Sequence, residues 1–458
     1  MREVLAALAA SAHARPNDLA LADDNATLTF AQLAGHVANL AHSLQEAPQT
    51  IAIFAPNCTL WVIADLALAL LGKTMVPLPV FFSADQLAHI IHDAGVELVL
   101  TTPAVEVLAQ DLNAPCLVLD THGDTLPFPT DLSPADLSAR IIYTSGTTGS
   151  PKGVRIGASQ ISASARGLVQ ASGADANDRY LSILPFSLLL EQIAAICVPL
   201  LAGAPIQIEA HAAGAVMQGN VEPLIMAFAK HQPTASVMVP ELLGAWVQGL
   251  LAMRTDAPKS LRFVAVGGAP VSPAVADTAW ELGIPVHEGY GLSECCSVVS
   301  VNRPGQRQSG TVGTPIDGTE ITLVDGEIMI TGPTVMSGYL GREDTQEQTW
   351  ATGDLGEMTE DGHLRILGRK DNLIVTQNGR NISPEWIETL ALDAPGVVAA
   401  KLSLNKEDEL VLTVTPHPHA QAHADWHGME ALIRACLTTA PDYAQPAKIV
   451  MTNVRTGP

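Results

Sequence analysis

Positive charge is scarce in this chain: 24 Lys and Arg stand against 47 Asp and Glu, a formal net charge of −23. An acidic surface repels phosphate backbones and anionic bilayers, which excludes non-specific nucleic-acid binding and adsorption to acidic membranes. Any anionic ligand must then be held by positive groups placed locally. Cysteine is sparse too. The six thiols (Cys58, Cys116, Cys197, Cys295, Cys296 and Cys436) form no CxxC pair and no ligand-like Cys/His spacing. That argues against a disulfide framework or a zinc site and for a reduced, cytoplasmic protein. Long apolar runs are missing as well. Ile193–Ile206 is short and contains Pro199, so a buried helix is expected rather than a membrane span. The opening MREVLAALAASAHA has a brief apolar stretch broken by polar residues, which reads as an amphipathic helix rather than a signal peptide.

What remains is a globular composition, with 47% hydrophobic and 16% charged residues. At 458 residues, two or three structural units are expected. Apolar strand-like runs alternate with helical ones: Ile51–Asn57, Met75–Val80, Val96–Thr102, then Ser236–Pro240, Leu261–Pro270 and Ile284–Gly291. That alternation predicts parallel sheets covered on both faces. After Gly310 the texture becomes short runs broken by Gly, Asp and Pro, the pattern of an antiparallel barrel or sheet. A final section carries its own strands and helices. The expected fold class is α/β: a large N-terminal domain of wound α/β sheets with a small β-rich subdomain, then a small α+β C-terminal domain.

The most informative stretch is Tyr143–Gly153, YTSGTTGSPKG, directly after the apolar pair Ile141-Ile142. Glycines let the backbone approach a ligand closely. Hydroxyls and N–H groups donate to phosphate oxygens, and Lys152 adds a compact positive charge. A flexible polar turn uses the same residue types, so composition leaves both readings open. The Walker pattern does not fit: Ser150 and Pro151 separate Gly149 from Lys152, and Gly153 follows the lysine.

TSGTTGSPKG resembles the signature of the acyl-adenylate-forming superfamily, which includes acyl-CoA synthetases, peptide-synthetase adenylation domains and luciferases. Three further elements follow in that family's order. Gly289–Glu294, GYGLSE, is similar to its YGxTE element, with Ser293 for threonine. Thr352-Gly353-Asp354 matches its TGD element, and Gly368–Glu388, GRKDNLIVTQNGRNISPEWIE, most resembles the long-chain acyl-CoA synthetase group. The resemblance implies ATP, Mg²⁺ and a thiol acceptor, either CoA or a carrier-protein phosphopantetheine. It assigns Thr144, Ser145, Gly146, Thr147, Thr148, Gly149 and Lys152 to the ATP phosphates. Glu294 suits Mg²⁺ as a hard oxygen ligand. Tyr290 offers adenine a flat face, beside Gly268, Gly291 and Ser293. Asp354 can accept the two ribose hydroxyls, and Arg369 contacts ribose or phosphate. Asp371 is the expected hinge between a domain of residues 1–368, with its β-rich part at about 310–367, and a mobile domain of residues 371–458.

The acyl pocket is expected to involve Phe186 and Leu188 of LPFSLLLEQ, with Gly267 and Ala269 opposite. Many family members carry an aromatic residue or histidine where Leu188 falls, so an aliphatic residue there suits an apolar acyl group. Leu189 and Leu190 read as helix core. An amino-acid substrate would need an aspartate for its ammonium group, and the only acid in that segment is Glu191. A medium or long fatty acid is therefore the expected substrate, with an aryl acid as the alternative. The family's C-terminal R-T-x-x-G-K phrase is represented here only by Arg455-Thr456-Gly457-Pro458. Lys448 lies upstream, on an expected strand. Truncation and natural absence of the lysine both stay open. So do a non-catalytic nucleotide-binding homologue and a carrier-protein-docking subunit, for which Arg380 and Lys401 are candidate basic contacts.

Overall fold

The structure is a computed structural model that describes residues 1–119, 124–144, 151–342, 348–375, 380–394, 396–407, 409–416 and 426–452. Its largest element is a nine-stranded sheet. From one edge the order is Thr314–Pro315, Ser297–Val301, Val286–Leu292, Phe263–Val266, Ala235–Met238, Tyr180–Ser182, Ile206–Ile208, Leu19–Ala22 and Thr27–Thr29. The six central strands are parallel, and antiparallel pairing is confined to the edges. A seven-stranded sheet runs Gly338–Tyr339, Lys152–Gly157, Ala139–Thr144, Thr74–Pro77, Thr50–Phe54, Leu98–Thr101 and Cys116–Val118. In its strand Thr50–Phe54 every residue after Thr50 is buried, which is why Ile51 to Phe54 is a continuous apolar run without alternation.

Local signals set several element ends. Thr29 and Gln32 form a reciprocal capping box at the start of Phe30–Ser43, as do Ser83 and Gln86 at Ala84–Asp93. Each such box satisfies two otherwise free backbone N–H groups. Pro240 differs from expectation. It opens the helix Pro240–Met253 rather than closing the strand before it, since proline at a first helical position has no N–H to leave unpaired.

A buried ion pair ties the layers together. Arg140, on the strand that leads into the glycine-rich loop, meets Asp65 of the helix Thr59–Leu70 at 2.7 Å and Gln192 at 2.6 Å. Both charged side chains are 2% exposed. Removing one partner of such a pair strands the other charge, at a loss of about 3–5 kcal/mol.

The later part of the chain is antiparallel, as its texture predicts. Glu320–Val324, Glu327–Thr331, Thr349–Met358 and Leu364–Arg369 form one four-stranded sheet. Beyond it, Val397–Leu404, Leu410–Pro416 and Lys448–Met451 make a three-stranded sheet beside the helices Pro384–Leu392 and Trp426–Cys436. Ile387, Leu402, Leu412 and Ile433 belong to a core cluster of this section, distinct from the main one. Lys448 lies on its expected strand.

Candidate active site

The glycine-rich stretch is entered and left by two paired strands. Ala139–Thr144 and Lys152–Gly157 are antiparallel, and Thr144 lies opposite Lys152. Ser145, Gly146, Thr147, Thr148 and Gly149 lie outside the described residues, as do Arg455–Pro458. Lys152 Nζ sits 5.7 Å from the centre of the Tyr339 ring, and Arg342 reaches the same ring at 5.6 Å. The Tyr339 hydroxyl donates to Glu294 Oε1 at 2.8 Å. One aromatic side chain thus links the loop lysine to the acidic residue of GYGLSE. Burial first, then the bond to Glu294, raises the Tyr339 phenol far above its ordinary range, so it remains a donor.

A second group forms around Asp354. Tyr290 OH donates to its Oδ2 at 2.5 Å, and Arg369 Nε lies 3.2 Å from its Oδ1. Register brings this about, because Asp354 pairs with Arg369 across neighbouring antiparallel strands. Burial raises the Asp354 carboxyl, with Tyr290 and Arg369 pulling the other way. The bulge between Tyr290 and Gly291 turns the strand towards Ser293 and Glu294. A Cβ on Gly291 would fall 1.6 Å from the Ser297 carbonyl oxygen, so only glycine fits there. Asp371 is exposed in a short turn whose neighbours are both engaged: Lys370 with Glu327 at 2.7 Å, and Asn372 with Glu385 at 2.5 Å.

Beside these groups lies a cavity of about 340 Å³, running between one face of the nine-stranded sheet and the helical segments over it. Gly289, Tyr290, Gly291, Leu292 and Ser293 are among its lining residues. The parallel register puts Tyr180, Ala235 and Phe263 level with one another, and Val237 level with Ala265. These side chains face one way, and the small ones leave the sheet surface open. Next to Phe263, Arg262 donates from Nε to Asp178 at 2.6 Å, from a terminal nitrogen to the other Asp178 oxygen, and to the Ser172 carbonyl at 2.6 Å.

Fold and site together match the known proteins in one way. Residues 8–340 match the family described as AMP-binding enzyme, well over half of the 458-residue chain. The chain belongs to the AMP-binding enzyme family. Members of this kind are AMP-forming acid–thiol ligases that use ATP with Mg²⁺ and CoA. The chain is similar to the 2-succinylbenzoate–CoA ligase of Bacillus subtilis strain 168, 28% identical over 94% of this chain and 91% of that one. It is also similar to long-chain-fatty-acid–CoA ligase 1 of Cavia porcellus, 26% identical over 84% of this chain and 68% of that one. Its fold follows the solved structure of o-succinylbenzoate CoA synthetase from Bacillus subtilis with its acyl-adenylate intermediate. There the TM-score is 0.78 at 25% identity, covering 97% of this chain and 94% of that one.

Within this AMP-binding enzyme, the expected pocket residues divide. Leu188, Gly267 and Gly268 line the cavity. Phe186 does not. It is fully buried against Trp61, with ring centres 5.1 Å apart, and Asn57 holds its backbone N–H. Ala269 is exposed beyond the turn and is absent from the lining. Leu189 and Leu190, expected as helix core, do belong to or pack against the main core cluster, and both also line the cavity. Glu191 points away from it, its Oε1 accepting from Ser182 Oγ at 2.6 Å and Ile183 N at 3.1 Å. Lys401 pairs with Glu388 at 3.2 Å, and Arg380 lies over the Tyr443 ring at 5.4 Å. Sequence reasoning missed Tyr339, Tyr180 and the Arg262–Asp178 pair. The alternating small residues of Ala235–Val239 and Phe263–Gly267 were the available signal for the cavity.

No helix among the described residues is long and apolar enough to cross a membrane.

Proposed function

We propose that this enzyme converts an apolar monocarboxylic acid to its acyl-adenylate and then to a thioester, with CoA as the preferred thiol. The observation that carries the reading is the apolar cavity lined in part by the same Gly289–Ser293 segment that leads to Glu294 and holds Tyr290 against Asp354. An acid in the cavity would present its carboxylate beside the nucleotide groups.

Attack of a carboxylate oxygen on the α-phosphorus breaks its bond to the bridging oxygen and releases pyrophosphate. Lys152, with the loop from Thr144 to Gly149, holds the β- and γ-phosphates. Tyr290, Asp354 and Arg369 orient the nucleoside. Glu294 fits Mg²⁺: one of its oxygens accepts from Tyr339, and no cluster of three or more acidic, His or Cys groups competes among the described residues. A single carboxylate plus phosphate oxygens is a usual Mg²⁺ environment. When bound, the ion offsets phosphate charge in the transition state. In the second step the thiolate attacks the acyl carbon and AMP leaves. Rotation at Asp371 of residues 371–458 against residues 1–368 would exchange the groups facing the adenylate.

A medium or long acyl chain suits the mainly apolar lining of the cavity. An aryl acid is the second reading, favoured by the similarity to 2-succinylbenzoate–CoA ligase. A phosphopantetheinyl carrier protein in place of CoA is a further alternative. The test is carboxylate-dependent ATP–pyrophosphate exchange across fatty, aryl and amino acids, with Lys152→Ala as the control. Exchange with one acid class, reduced about 10²–10³-fold in the variant, supports the reading. ATP binding without exchange for any acid would overturn it.

A further inference from the structure

Resting on the adenylation reading above, we infer that Arg342 is a second polyphosphate-binding residue. With Lys152 it holds the β- and γ-phosphates of ATP and the pyrophosphate that leaves. The two cations meet at one aromatic ring. Lys152 Nζ lies 5.7 Å from the centre of the Tyr339 ring, and the Arg342 guanidinium carbon lies 5.6 Å from it. The hydroxyl of that ring donates to Glu294 Oε1, the carboxylate that fits Mg²⁺. Two positive side chains and a magnesium-type carboxylate are thus gathered around one half-buried tyrosine.

Charge balance singles this cluster out. The chain has 47 acidic residues for 24 basic ones, and other arginines of the later chain are committed to acids. Arg303 pairs with Asp317, Arg307 with Glu288, Arg365 with Glu357 and Arg369 with Asp354. Lys152 and Arg342 form no ion pair among the described residues; the contact each makes is with the Tyr339 ring. Bringing two like charges to one ring costs electrostatic energy, for which an exposed cation–π contact is weak compensation. A polyphosphate would pair with both.

The Arg342 backbone is fixed at this place. Gly338–Tyr339 pairs with the strand that begins at Lys152, Tyr339 lying opposite Val154. The chain then turns. The Leu340 N–H donates to the Gly153 carbonyl at 2.7 Å, and the Arg342 N–H donates back to the Tyr339 carbonyl at 3.2 Å. Arg155 reaches the Arg342 carbonyl at 3.5 Å. Trp350 holds the Tyr339 ring edge-on, with centres 6.0 Å apart. The guanidinium itself is left exposed, its planar fork of donors matched to paired phosphate oxygens.

The experiment measures binding of ATP, AMP and inorganic pyrophosphate, each with Mg²⁺, to wild type, Arg342→Ala and Arg342→Lys by calorimetry, with exchange kinetics alongside. AMP lacks the β- and γ-phosphates, so it reports on folding and on the rest of the nucleotide site. Arg342→Ala should weaken ATP and pyrophosphate about tenfold and AMP less than about twofold. Arg342→Lys keeps the charge but not the fork and should recover part of the loss. Wild-type affinity for ATP should fall more steeply with added salt than that of Arg342→Ala. ATP and pyrophosphate affinities in Arg342→Ala within about twofold of wild type would overturn the inference and leave only a surface cation–π pair. An equal loss for AMP would overturn it too. If wild type exchanges with no acid, the adenylation reading falls by itself, and the comparison of ATP with AMP still decides the role of Arg342.

Discussion

Replacing Glu191 with glutamine should stabilise the protein above neutral pH and change little below pH 4.5. The carboxyl is wholly buried beside the channel. Its Oε1 accepts two hydrogen bonds, and its Oε2 has no partner among the described residues. Burial outweighs those bonds and pushes it from 4.5 up to about 8. Between those values the unfolded chain has released the proton and the folded protein still holds it. The unfolded state binds fewer protons, so stability falls as pH rises through that window. The contribution is fully present below 4.5 and is lost through about 8. At about 1.4 kcal/mol per unit, the loss is about 3 kcal/mol at pH 7 and about 5 kcal/mol above pH 8. Glutamine keeps the oxygen that Ser182 and Ile183 address and does not titrate. Urea midpoints of both proteins, measured from pH 5 to 9, should diverge with pH, the variant being the more stable. Parallel midpoints across the range would refute the reasoning, since they would mean that the carboxyl ionises equally in both states.

Two further substitutions probe the site. Ala265→Leu projects a larger side chain into the channel midway between Phe263 and Gly267. Excluding about four methylenes at about 0.8 kcal/mol each lowers kcat/KM for long acids about 200-fold, and short acids should be unaffected; an unchanged chain-length profile would place the acyl group elsewhere. Tyr339→Phe removes the hydroxyl held by Glu294. The Mg²⁺ concentration for half-maximal exchange should rise about tenfold with little change in thermal midpoint, whereas a Mg²⁺ dependence like wild type would show that Glu294 needs no such support.

The elements that carry the family resemblance were legible because their signal is local. A glycine-rich run with one lysine, GYGLSE after a strand, and TGD are each spelled out in a few adjacent residues. The backbone needs of those turns, such as glycine at 291, restrict what the sequence can be. Alternating apolar runs likewise announce parallel strands, and the change after Gly310 announces antiparallel ones. Contacts between distant segments are not written locally. Tyr339 reaches Glu294 across 45 positions, and nothing in Gly338-Tyr339 by itself says that a hydroxyl will be delivered there. Phe186 was misread because an aromatic residue in a pocket-forming segment can turn to either side, and only the packing of Trp61 decides which.

The chain by itself determined its family, its fold class and the order of its family motifs, since contiguous residues carry that information. Tertiary structure alone decided the channel. Ala235 lies on one strand, Ala265 and Gly267 on and just after its neighbour, and each looks like ordinary core. Only parallel register lines them up on one face, leaving space beneath the helices.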